Sequence, residues 1–257
     1  MQGMWRKLRI FVLLFVLVTV AQQAWLKNGQ PDWHRTLYVT LYPVNADLSE
    51  ASNVAIRRLN QAQLAQIEEY FAEQGQRYHL ALAQPFAVHL GPVVGDIPPP
   101  PPRNAGMFST MAWSLHFRWW TWRHSPPTPV KADIRLYLLY FDVAGHPTLP
   151  HSTALSKGRV GLVNVYADPA QTAQNNMVIA HELLHTVGAR DKYDLTSTQP
   201  HYPEGYAEPD RQPLYPQRFA ELMAGRIPDS QHGAHIPANL SQTLVGDLTA
   251  REIGWQP

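Results

Sequence analysis

The chain has 257 residues, enough for one substantial core or for a core divided by a cleft. Its formal net charge of +1 provides no field for steering nucleic acid, and no Lys/Arg-rich block follows the N-terminus. The absence of cysteine excludes disulfides, cysteine-based zinc sites and thiol catalysis, while 23 prolines imply long ordered loops between few regular elements.

Arg6, Lys7 and Arg9 precede an apolar run over 10–18 that continues through Thr19, Val20 and Ala21. A run of about 12 residues is short for a bilayer span and suits a signal-peptide core. Residues 22–26 make a poor cleavage site, and Trp5 and Trp25 flank the run as interfacial anchors do. Residues 1–26 therefore read first as an uncleaved signal anchor, with a cleaved signal or a buried helix as alternatives. The basic flank keeps the N-terminus in the cytoplasm and places the rest outside, which is the periplasm in a cell with two membranes. Cleavage would instead yield a secreted protein. A short linker at 27–34 is expected to lead into a single domain at 35–257.

Residues 36–42 alternate and are β-rich, which predicts a first strand. Residues 52–74 carry apolar positions at helical spacing and predict a long amphipathic helix ending near Gly75. Strands are expected at 86–90, at 133–141 (the most apolar and so central) and at 159–166. The free edge of the last one, at 160–166, offers β-addition to an extended peptide unless its own loops cover it. Between them lies an insertion, 91–131. Its five prolines at 98–102 predict a stiff polyproline II spacer. The following stretch holds four tryptophans, with Trp113, Phe117 and Trp120 on one helical face and Leu115, Trp119 and Trp122 on another. Packing on the core, contact with a membrane surface and a wall beside the substrate are the three readings of that segment.

The sequence over 181–191 is His-Glu-Leu-Leu-His-Thr-Val-Gly-Ala-Arg-Asp. His181 and His185, at i and i+4, project from one helical face and can share a zinc ion, with Glu182 beside them as general base. Asp168 and Pro169 mark the start of that helix, and Gly188 can end it in a left-handed conformation. The chain can then return Asp191 to the same metal as third ligand, completing the pattern HExxHxxGxxD. Asp194, His201, His232 and His235 are other candidates for the third position. Glu204 and Glu208 have the spacing of a ligand on a second helix, but Pro203, Gly205 and Pro209 oppose a helix there. Three protein ligands leave a position for water, whose proton Glu182 takes and passes to the leaving amine. Tyr193 either hydrogen-bonds the oxyanion or packs its loop. Downstream, residues 220–225 place Met223 in a short segment where a tight turn is expected. Read alone, Met223 is an ordinary core methionine.

With Gly188, Asp191, Tyr193 and Glu-Leu-Met-x-Gly at 221–225, about 45 residues resemble the metzincins, and among them the snapalysins, small secreted bacterial proteases with Asp as third ligand. The resemblance implies an α+β, metzincin-like (zincin) catalytic domain preceded by one N-terminal transmembrane or signal helix. It implies a twisted mixed sheet with a long helix and the zinc helix over 35–188, and a loop-rich C-terminal subdomain over 189–257. It further implies Zn2+ on His181, His185 and Asp191, with Met223 as the floor beneath the metal. The leading function is a zinc-dependent endopeptidase outside the cytoplasm, its partners a peptide substrate and, through the N-terminal helix, a membrane. A catalytically silent binding module of the same kind is the alternative, which the intact Glu182 opposes. A structural zinc site would need a fourth ligand.

Overall fold

The computed structural model describes residues 2–27, 31–102 and 106–256. The architecture is α+β with a mixed sheet. A helix, α1 (Gln2–Lys27), opens the chain, and its described side chains from Trp5 to Val18 are exposed. The expected cleavage region at 22–26 lies outside the described side chains, and 28–30 of the expected linker outside the described residues. No helix among the described residues is long and apolar enough to cross a membrane. The end of the stretch expected as linker belongs to the folded body: Trp33 is buried, donates to the Ile253 carbonyl at 2.6 Å and meets Phe86 and Trp255 edge-on.

Four parallel strands form the frame: β1 (Leu37–Asn45), β2 (Phe86–Leu90), β3 (Ile134–Phe141) and, after an intervening short strand, β5 (Val160–Tyr166). The short strand, β4 (Thr153–Leu155), runs antiparallel to β5 and closes the order β2-β1-β3-β5-β4. Of the two readings of the edge at 160–166, free or covered, the structure has it covered over 160–162. Residues 153–155 pair with 162–160, so the edge passes to β4.

Period-two alternation sorts the side chains into two cores. Leu37, Val39 and Leu41 of β1, Ile134, Leu136 and Leu138 of β3, and Val163 and Val165 of β5 face one way. Tyr42, Val44, Tyr137, Leu139, Val160 and Leu162 face the other. Burial on both faces explains why residues 134–141 are almost uniformly apolar.

The helix expected over 52–74 is two helices, α2 (Glu50–Arg58) and α3 (Ala65–Arg77), separated by a 3-10 turn at Gln61–Leu64. The break is local chemistry. Asn60 accepts from the Gln63 backbone N–H while the Gln63 side chain accepts from the Asn60 N–H, a reciprocal cap that displaces helical continuation. On the opposite sheet face lies α4 (Met107–His124), whose Trp113, Phe117 and Trp120 pack onto Tyr137 and its neighbours. The proline run is fastened to it, since Trp113 Nε1 donates to the Pro99 carbonyl.

After β5, Asp168 caps a 3-10 turn at Pro169–Gln171 that leads into α5 (Thr172–Thr186). The remainder is loop-rich, held by two small strand pairs, β6 (Ala220–Glu221) with β9 (Thr243–Leu244) and β7 (Ile227–Ser230) with β8 (Gly233–His235). It ends in α6 (Asp247–Glu252).

Candidate metal centre

α5 ends on a glycine exit. Gly188 has φ +113, its N–H reaches the His185 carbonyl and the Ala189 N–H reaches that of Leu184. This double bond pattern satisfies the last helical carbonyls and reverses the chain, a conformation that a Cβ would strain. The reversal has a chemical result. The Ala189 carbonyl now faces His185 Nδ1 at 2.8 Å, and the Leu222 carbonyl faces His181 Nδ1 at 3.1 Å. A carbonyl only accepts, so both rings carry hydrogen on Nδ1 and turn Nε2 toward each other.

His181 Nε2, His185 Nε2 and Asp191 Oδ1 form a triangle with all three sides 3.1 Å. Donors held tetrahedrally by one zinc ion at about 2.0–2.1 Å stand roughly 3.3 Å apart, so this trio fits such an ion with almost no adjustment. Its electrostatics agree. Burial alone would lower the His181 pKa, yet the Asp191 hydrogen bond and the Glu182 charge raise it to about 9. Burial would raise Asp191, and hydrogen bonds to both histidines hold it well below the usual carboxylate range instead. The pocket favours positive charge at this point, whether proton or metal ion.

Asp191 is positioned from far along the chain. Glu252 of α6 accepts from the Arg190 N–H at 3.0 Å, from Arg190 Nε at 3.1 Å and from buried Lys192 Nζ at 2.6 Å, gripping both neighbours of the aspartate. The Met-containing turn holds the other side. Glu221, fully buried, accepts from the Ala224 and Gly246 N–H groups and from Thr249 Oγ1. The Met223 carbonyl accepts from the Lys192 N–H. Met223 itself is fully buried in the core cluster that includes Leu183, Leu184 and Val187. Burial pushes the Glu221 carboxyl up, against the lowering pull of the Thr249 hydroxyl, the Gly246 N–H and the Lys192 charge.

The ligand atoms of His181, Glu182 and His185 lie within 4.8 Å of one another. Glu182 is 5% exposed and its Oε2 has no hydrogen-bond partner. Burial raises its pKa, against the pull of His181 and His185. A desolvated carboxylate beside a cation site is suited to receiving a proton. It faces a cleft of about 380 Å³ lined also by His151, Asn164, Tyr193 and Leu222. Tyr193 therefore shares the cleft with Glu182, and burial with the charges of Asp191 and Glu182 raises its hydroxyl pKa. A second cavity, about 300 Å³ between α2 and the start of α5, contains no histidine or glutamate.

Several other ligand candidates are engaged elsewhere. Asp194 Oδ1 accepts from the Thr196 and Ser197 N–H groups, His235 pairs with Asp229, and Glu208 pairs with Arg218. Glu204, His201 and His232 are exposed. Sequence reasoning did not find His151, which acts electrostatically on Glu182, or the support Glu252, and it quoted Glu221 in the segment 221–225 without its supporting role. Neither His151 nor Glu252 carries a motif, and Glu252 stands 60 residues from Lys192. No protein-family model and no curated protein matches the chain.

Proposed function

We propose that the chain is a zinc-dependent endopeptidase of the metzincin kind, acting outside the cytoplasm. One observation carries this reading: the 3.1 Å triangle of His181, His185 and Asp191 lies beside a buried Glu182 whose Oε2 has no hydrogen-bond partner. Two nitrogens and one oxygen suit zinc and leave room for a further ligand. When bound, zinc supplies Lewis acidity, polarising a peptide carbonyl and bringing the pKa of water toward neutrality.

The chain's own groups do the rest. The Leu222 and Ala189 carbonyls hold the two imidazoles in the tautomer that presents Nε2. Glu182 takes the proton of the attacking water at its free Oε2 and returns it to the leaving amine. Tyr193, across the same cleft, donates a hydrogen bond to the developing oxyanion. The outer edge of β4 replaces that of β5 as the strand along which an extended peptide pairs, with Ser152 and His151 leading from it into the cleft.

The test combines metal analysis with cleavage of a broad peptide library, on wild type and on Glu182→Gln. The expected wild type binds about one zinc per chain and cleaves. The variant keeps zinc and loses hydrolysis by about 10²–10⁴-fold. A variant as active as wild type overturns the mechanism, and a zinc-loaded wild type that cleaves nothing favours the binding module.

A further inference from the structure

α4 carries two apolar stripes, and the protein covers only one. Trp113, Phe117 and Trp120 are buried against the sheet. Phe108, Met111, Leu115, Trp119 and Trp122 recur at spacings of three and four residues, so they share the outward face. Phe108 is 82%, Trp119 55% and Trp122 78% exposed. Scattered exposed apolar residues are ordinary on a protein surface, whereas an unbroken stripe four turns long with two tryptophans and a phenylalanine is not.

The charge of the segment that carries this stripe leans to one sign. From Ile97 to Ala132 the sequence holds no carboxylate, and it holds Arg103, Arg118, Arg123 and Lys131. The whole chain nets only +1, so the segment concentrates positive charge that other regions balance. Arg123 lies in the last turn of α4, and His124 beside it stands 3.8 Å from the Asp96 carboxylate that precedes the segment. Large aromatic and aliphatic side chains on one helix face, in a segment whose charged residues from 97 to 132 are all cationic, match a bilayer interface bearing anionic headgroups. The rings sit at the acyl boundary and the cations meet phosphate.

We infer that the outward face of α4 docks on an anionic lipid surface. It is a contact additional to any made by the N-terminal helix, and it does not depend on the catalytic reading. α4 and α5 lie on opposite faces of one sheet, so lipid contact leaves the metal centre clear of the bilayer.

The absence of cysteine makes a clean test. A single Leu115→Cys in the full chain carries an environment-sensitive fluorophore, and Glu73→Cys, exposed on α3 across the sheet, is the control. Each is reconstituted with vesicles of phosphatidylcholine and phosphatidylglycerol. The expected result is blue-shifted emission at 115, quenched by lipid-borne nitroxide, with no change at 73. In purely zwitterionic vesicles, or with Arg123→Glu and Lys131→Glu together, the immersion constant falls by about fivefold per cationic charge lost or left unmatched. Four outcomes overturn the proposal. They are a full chain that does not float with the vesicles, water-like emission at 115 on vesicles that do carry it, equal immersion without anionic lipid, and a concentration-dependent blue shift without vesicles, which identifies a second copy of the chain as the occupant.

Discussion

α4 and α5 lie on opposite faces of the same sheet and use apolar surface in opposite ways. α5 packs its inner side against the sheet, the turn at 221–225 and Leu240, so Glu182 is desolvated while the Leu222 and Leu183 carbonyls hold His181 and Thr186. α4 is enclosed on one face only and leaves a stripe of large rings in solvent. Burial on α5 gives a carboxylate its reactivity. Exposure on α4 gives aromatic rings a use outside the fold. The same residue types would do neither if the two helices exchanged faces.

This contrast can be broken at several points, and the largest effect expected is the loss of hydrolysis in Glu182→Gln described above. Next, Phe117→Ala removes a fully buried ring from the covered side of α4 and should cost about 3–5 kcal/mol, read as a fall in the urea midpoint. Glu252→Ala frees both neighbours of Asp191 and leaves Lys192 Nζ without its carboxylate partner. Zinc affinity in a competitive chelator titration should drop about 10–100-fold, as for other residues that orient ligands. An unchanged affinity would show that the loop holds its shape without α6.

A smaller effect concerns the frame both helices share. Burial alone would raise the Asp47 carboxyl, but N–H groups of Asp142 and Ser49 and the Ser52 hydroxyl bring it down to about 2, tying the end of β1 to that of β3. A carboxylate with a lowered folded pKa stabilises above its unfolded value of 3.8, and that contribution disappears as pH falls through about 2. Asp47→Asn should therefore lose up to about 2 kcal/mol at pH 7 and show a flatter stability profile between those two values. The smallest effect is expected for Trp122→Ala, within about 0.5 kcal/mol of wild type despite removing the largest side chain type. A loss comparable to that of Phe117→Ala would mean the outer stripe contributes to folding, and the comparison between the helices would fail.

Much of this was legible from local pattern. The strands at 86–90, 133–141 and 159–166 were expected within a residue or so of where they lie, because apolar runs and alternation report burial on one or both sheet faces. His181, Glu182 and His185 were legible because helical spacing alone aligns them. The helix at 52–74 was misread at Leu59-Asn60, where the apolar period continues across a cap that depends on side-chain geometry. β4 was not legible, since three residues between Pro150 and Gly158 offer no period to detect.

The residues at 181–191 specify two imidazoles one turn apart, a carboxylate between them and a glycine where the chain must reverse. Spacing and backbone freedom are properties of adjacent residues, so the sequence determines them unaided. Tertiary structure decided what grips Asp191 from α6, which carbonyl sets the His181 tautomer, and which strand bears the open edge. It also decided which of the two apolar faces of α4 is covered. Each of those depends on groups distant in sequence, such as Leu222 against His181 or Tyr137 against Trp120, and such meetings exist only once the chain has packed.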